Sequence, residues 1–230
     1  MESIGHYLRT VYAEYNTAEK EYWLKTLKSN YGIDIQAQPG VQDGFWIVRQ
    51  VCQIFKPVPA ELVKACGVNS LILRADMGLN RSHFPNHGYY VGNHIALNVD
   101  IFYHPDQPSD FMDHRGYFLT RPEQTLLHEI SHAYDFHHGD LSKKDAWLKI
   151  SGWSDVKKPG LKRLIINEPE TPRVIGEMYY DPKAEFTRFY ARRNSWDDWA
   201  DSSAFYLGGL RDKVPTKKRS YFDNIYKNYY

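Results

Sequence analysis

Apolar residues recur at helical spacing from the start of the chain. Ile4, Leu8, Val11, Tyr12 and Tyr15 are followed by Tyr22, Leu24 and Leu27, which predicts a helical N-terminal stretch. QPGVQDG interrupts the pattern, and FWIVRQVCQIF resumes it as far as Pro57. PVPAELVKACGV predicts a short helix closed by Gly67, and SLILRAD a buried strand. GYYVGNHIALNVDIF predicts a hairpin whose two-residue turn is Gly92-Asn93. Residues 103–119, rich in Pro, Asp and Gly, predict a loop, and from residue 120 the pattern is mostly helical. Strands first and helices afterwards indicate an α+β fold. No repeat or low-complexity linker divides the chain, so residues 1–230 are expected to form a single domain. In that domain a helical N-terminal extension (1–55) would precede a core (60–225).

Composition narrows this picture. A net charge of +1 with 25% charged residues gives no push towards nucleic acid or an anionic membrane. The basic C-terminal stretch KVPTKKRSYFDNIYKNYY is expected to be a helix that packs Tyr221, Phe222, Ile225 and Tyr229 while its lysines stay wet. Cys52 and Cys66 lack the spacing of a thiolate metal site, so any metal must be held by His and carboxylate. The polar start MESIGHYLRTVYAEYN lacks the apolar core of a Sec signal peptide. The expectation is a cytoplasmic protein as synthesised, exported, if at all, by a non-classical or specialised route.

One stretch carries chemistry. In TLLHEISHAYDFHH (125–138), His132 lies about 40° and Asp135 about −20° from His128 on a helical wheel, so the three share a face. Leu126, Ile130, Ala133 and His137 fall on the opposite face. Thr120-Arg-Pro-Glu123 reads as a capping-box start. The bare HExxH pattern arises by chance in on the order of a few per cent of chains this long, but chance matches rarely come with a capped start and an apolar back. Two imidazoles one turn apart suit zinc, which acidifies a water molecule. Glu129, beside that face, is placed to accept the proton as the water attacks a carbonyl.

The third ligand is open at this point. His138 stands ten residues after His128, the spacing of HExxHxxGxxH, but Asp135 occupies the place of the Gly at which that motif turns. The other candidates lie in FYARRNSWDDWADSSAFYLGGL (189–210). There Ser195 can cap a helix that carries Asp197 and Asp201 one turn apart. Asp198 reads as a complement to the helix dipole. Asp201, mid-helix beside Ala200, Ala204 and Phe205, does not.

HEISHAYD resembles the HExxHAxD stretch of the zincin peptidases that include the anthrax lethal factor catalytic domain and clostridial Pro-Pro endopeptidase. A later helix in those enzymes reads Tyr, six residues, then E-[EF]-F-A-E. Here Tyr190 is followed seven positions on by Asp197 in DDWAD. The resemblance implies a zincin fold, with a small mixed or antiparallel sheet on the HExxH helix and a helical C-terminal part. It implies that His128, His132 and Asp197 hold zinc, that Tyr190 steadies the oxyanion, and that Asp135 and Asp201 lie behind the metal. Both family glutamates are aspartates here, so the second helix must approach by an extra ~1.5 Å, or Asp201 or a water must substitute as the third ligand. WSDVKKPGLKRLIINEPETPRVIGEMYYDPKAEF, between the motifs, is longer than in the relatives and suggests an inserted flap.

Zincins hold a peptide as an added strand on their sheet edge. The 94–100 arm, with His94, Ala96 and Asn98 on its more polar side, is the candidate edge for substrate binding. The expectation is a monomeric zinc endopeptidase with a protein or peptide substrate and no nucleic-acid or membrane partner. By analogy with its relatives it would be a bacterial effector or toxin, the alternative being a housekeeping cytosolic peptidase. The rivals are a non-catalytic zincin-like binding module and a metzincin-like peptidase using His138.

Overall fold

The computed structural model describes residues 4–39, 41, 45–75, 77, 87–103, 119–167 and 174–230. In chain order the elements are α1 (Ile4–Tyr31), β1 (Asp34–Ala37), α2 (Phe45–Phe55), α3 (Ala60–Ala65), β2 (Ser70–Arg74), β3 (Gly88–Val91), β4 (His94–Asn98) and α4 (Asp100–Tyr103). They are followed by α5 (Arg121–His137), α6 (Asp145–Ser151), β5 (Trp153–Ser154), β6 (Lys162–Asn167), β7 (Val174–Tyr180), α7 (Ser195–Leu207) and α8 (Thr216–Tyr226). The class is α+β, as the element pattern predicts. The packing of Ile4, Leu8, Val11, Tyr12 and Tyr15, and nearly all of the loop expected over 103–119, lie outside what is described. Among the described residues, no helix is long and apolar enough to cross a membrane.

The first sheet has the order β1-β2-β4-β3. β1, β2 and β4 run parallel, and β3 pairs antiparallel with β4 through the expected Gly92-Asn93 turn. This corrects the edge assignment. β4 is paired on both sides, so the 94–100 arm is interior, with Ala96 and Asn98 buried at 1% and 3% exposure. β3 is the edge. The reason is visible in the burial of Ile95, Ala96 and Leu97 one after another, as in a strand covered on both faces. His94, Ala96 and Asn98 therefore cannot offer backbone groups to an added strand.

α5 packs its apolar back, Leu126, Leu127, Ile130 and Ala133, into the same core as Leu71, Leu73, Ile95 and Leu97 of the sheet. Its start is the predicted one: the Glu123 carboxylate accepts the Thr120 backbone N–H (2.7 Å) and hydroxyl (2.8 Å). Each such cap stabilises a helix by about 1 kcal/mol. His137 lies on the exposed side rather than in the core, with its ring against Gly67 and near Tyr90.

Two elements depart from the sequence expectation. Asp34–Ala37 is a strand, and β5, β6 and β7 form a second, antiparallel sheet of order β5-β7-β6 where mostly helix was expected. This sheet occupies the segment read as an inserted flap, whose residues 168–173 lie outside the described ones. Beyond it, α7 packs across α5 with α8 behind it. Tyr134, Trp147, Trp199, Phe222 and Tyr226 fill the junction.

Candidate metal centre

α5 and α7 bring three potential ligands together. The Nε2 atoms of His128 and His132 stand 3.0 Å apart. Asp197 Oδ1, from the first turn of α7, lies 3.7 Å from the former and 3.4 Å from the latter. Zinc bonds of ~2.0–2.1 Å in a tetrahedron require ligand atoms ~3.3–3.4 Å apart. The three separations bracket that value, and two imidazoles with a carboxylate are a donor set zinc accepts. The residues fit the ion.

Asp201 stands behind His128. Its Oδ1 accepts from His128 Nδ1 (2.7 Å) and from Gln124 Nε2 (3.2 Å). Arg188 grips the same carboxylate with Nε to Oδ2 at 2.8 Å and Nη2 to Oδ1 at 2.7 Å. An acceptor at Nδ1 keeps the proton on that nitrogen, so Nε2 is the one that would give up its proton to bind an ion. Burial alone would pull the His128 pKa down, but the Asp201 and Asp197 carboxylates outweigh it and raise it to about 10. Burial raises the Asp197 carboxyl, and the facing His128 and His132 imidazoles more than reverse this, so it ends well below the usual range. The pocket is built for positive charge.

Glu129 lies between α5 and the sheet edge. A Cβ added to Gly88 of β3 would stand 2.8 Å from Thr125 Cγ2 and 3.2 Å from Glu129 Cγ, so only glycine lets the strand lie this close. The Asn98 N–H donates to the His87 carbonyl. With that register Gly88 and Tyr90 point their backbone groups outward. Burial pushes the Glu129 carboxyl above the ordinary carboxylate range, opposed by His128 and His132 and by a hydrogen bond from the Tyr90 backbone.

Tyr190, in the short turn before α7, sets its ring edge-on to His128 at 5.6 Å. The guanidinium groups of Arg188 and Arg193 lie 4.9 and 4.6 Å from that ring. Burial and the nearby Asp197 raise its phenol pKa, so it stays a proton donor.

The remaining candidates sit elsewhere. Asp135 is buried, but its two oxygens accept the Ser142 N–H (2.7 Å) and hydroxyl (2.6 Å). It closes the end of α5 instead of orienting a ligand. His138 bonds the Tyr134 carbonyl and stacks on the Tyr134 ring at 3.8 Å, and so is turned away from the ligand cluster. Asp198 is not a solvated dipole complement: it is fully buried with Lys218 Nζ at 2.6 and 2.8 Å. Lys218 in turn corrects the expectation of wet lysines on the last helix. Asn194, not Ser195, caps α7.

Sequence reasoning missed Arg188, Gln124 and Asn194. Asn is as good a cap as Ser, so Asn194 had a signal. Arg188 is one of several arginines in TRFYARRN, and nothing local singles it out.

No protein-family profile matches the chain, and no curated protein does. Among solved structures, it is similar to a protein of Bacteroides caccae provisionally named a zinc-binding metallo-peptidase. The two share 14% identity over 92% of this chain and 87% of that one, with a TM-score of 0.44. So distant a likeness says nothing of chemistry, whereas the spacing of His128, His132 and Asp197 does.

Proposed function

We propose that this protein is a zinc-dependent endopeptidase of the zincin type. The observation that supports it is the meeting of His128, His132 and Asp197, from two helices distant in sequence, at tetrahedral spacing. Zinc held there supplies a Lewis acid and lowers the pKa of a water molecule towards ~7.

The rest is the work of side chains. Glu129 takes a proton from the attacking water and delivers it to the leaving nitrogen as the C–N bond breaks. Its raised pKa suits both tasks. Tyr190, kept protonated, donates to the oxygen that gains negative charge. The outward Gly88 backbone groups and the Tyr90 carbonyl of β3, in place of β4, hold an extended peptide, the Tyr90 N–H being taken by Glu129. An effector or toxin role inside a target cell rests on the family resemblance alone.

Glu129→Gln should keep zinc bound and abolish cleavage, read by N-terminal labelling of a lysate exposed to each protein. Asp197→Ala should lower zinc occupancy. Cleavage that survives Glu129→Gln would refute the mechanism, and full zinc occupancy in Asp197→Ala would remove it from the ligand set.

A further inference from the structure

Asn194 makes two hydrogen bonds to one residue, and that residue is the carboxylate that faces the two imidazoles. Its Oδ1 accepts the Asp197 backbone N–H at 2.6 Å, and its Nδ2 donates to Asp197 Oδ2 at 2.7 Å. The amide orientation is forced, because the N–H needs an acceptor and the carboxylate a donor. Asn194 is 7% exposed and its backbone is extended (φ −174°, ψ 174°), so solvent competes little for either bond. The outer oxygen is thus occupied, while Oδ1 stands 3.4 and 3.7 Å from the two Nε2 atoms.

We propose that Asn194 is a positioning residue for the metal ligand: its amide ties down Asp197 Oδ2, so that the carboxylate meets the ion through Oδ1 alone. The inference rests on the zinc reading above. One-oxygen ligation suits a four-coordinate ion such as zinc. It disfavours calcium, which takes 6–8 oxygens and often both oxygens of a carboxylate. Capping alone does not require an amide, since serine caps equally well. The donor to Oδ2 is the part only asparagine supplies in this geometry.

The test separates cap from ligand. The full chain is stripped of metal, its zinc affinity is measured by competition with a chromophoric chelator, and its metal-free melting is recorded. Asn194→Ser retains a capping oxygen and Asn194→Gly costs a cap only a few tenths of a kcal/mol. Both should melt near the wild type without metal yet bind zinc ~10–100-fold more weakly, the range for loss of a group that orients a ligand. Zinc affinity within twofold of wild type in both variants would overturn the proposal. So would a loss of affinity accompanied by a large fall in metal-free melting, because Asn194 would then act only on the helix. A wild type that binds no zinc, or binds it equally well after His128→Ala, refutes the zinc reading itself and is distinguishable from either result.

Discussion

Lys218→Met tests the packing that carries α7. Lys218 is 1% exposed, and its Nζ lies 2.6 and 2.8 Å from the two Asp198 oxygens and 2.7 Å from the Glu185 carbonyl. Phe186 and Trp147 rings flank it at 4.7 and 5.6 Å. Removing one partner of such a buried pair costs about 3–5 kcal/mol. Asp198 keeps the Trp153 indole N–H at 3.1 Å and a weak contact with Ser202, which favours the low end. The orphaned Glu185 carbonyl adds about 1 kcal/mol. The sum is about 4 kcal/mol, or a fall of ~8–16 °C in Tm for a chain of this size. The assay is urea unfolding followed by the fluorescence of Trp147, Trp153 and Trp199, in chelator so that metal does not intervene. Asp198→Asn combined with Lys218→Met removes both charges and should recover most of the loss. The pH dependence has a definite sign. Burial pushes the Asp198 carboxyl up to about 6, with Lys218 opposing. A carboxyl raised in the folded state stabilises below its unfolded pKa of ~4, and that contribution is lost as pH rises through the folded value. Without Lys218 the carboxyl rises further, so the variant's deficit should shrink when pH is lowered from ~7 to ~5. A single variant within ~1 kcal/mol of wild type at pH 7, or a double variant as damaged as the single, would refute the reasoning.

Gly88→Ala should reduce peptide cleavage more than zinc affinity, because its Cβ presses on Thr125 and Glu129 and not on the ligands; equal loss of both would contradict that placement. His138→Ala should leave one zinc per chain by elemental analysis, since His138 stacks on Tyr134. Burial, with Arg121 and Arg188 adding to it, lowers the His87 pKa to about 4. The unfolded chain therefore binds the proton first, and stability should fall as pH drops from ~6.5 to ~4, by at most ~3 kcal/mol. His87→Gln should flatten that limb of a melting-versus-pH curve.

Much of the site was legible because it is local. The period of HEISHAYD and its capping box place His128, Glu129 and His132 on the polar side of a helix with an apolar back, and the structure agrees. Asp197 and Tyr190 were reached only through the family resemblance, which the seven-residue step between them carries. The rest depended on partners far along the chain. Strand order is such a property: Gly88–Val91 and His94–Asn98 look alike as arms of a hairpin, and only pairing with β2 makes the second one interior. Asp135 was assigned by face, and the neighbour that captured it, Ser142, lies beyond the helix end. Lys218 gives no local sign that it meets Asp198. β6 and β7 did carry a signal, the β-branched runs in KRLIIN and VIGEMYY, which the helical motifs on either side overshadowed.

α5 and α7 are also joined by hydroxyls: Ser131 bonds Ser203 at 2.7 Å, and Ser203 bonds Tyr226 at 2.7 Å. An ion shared by His128, His132 and Asp197 would fasten the same two helices, closing a long stretch of chain much as a disulfide does. Occupancy at a thousandfold excess over Kd would add about 4 kcal/mol to the folded state. The melting point would then serve as a gauge of free zinc.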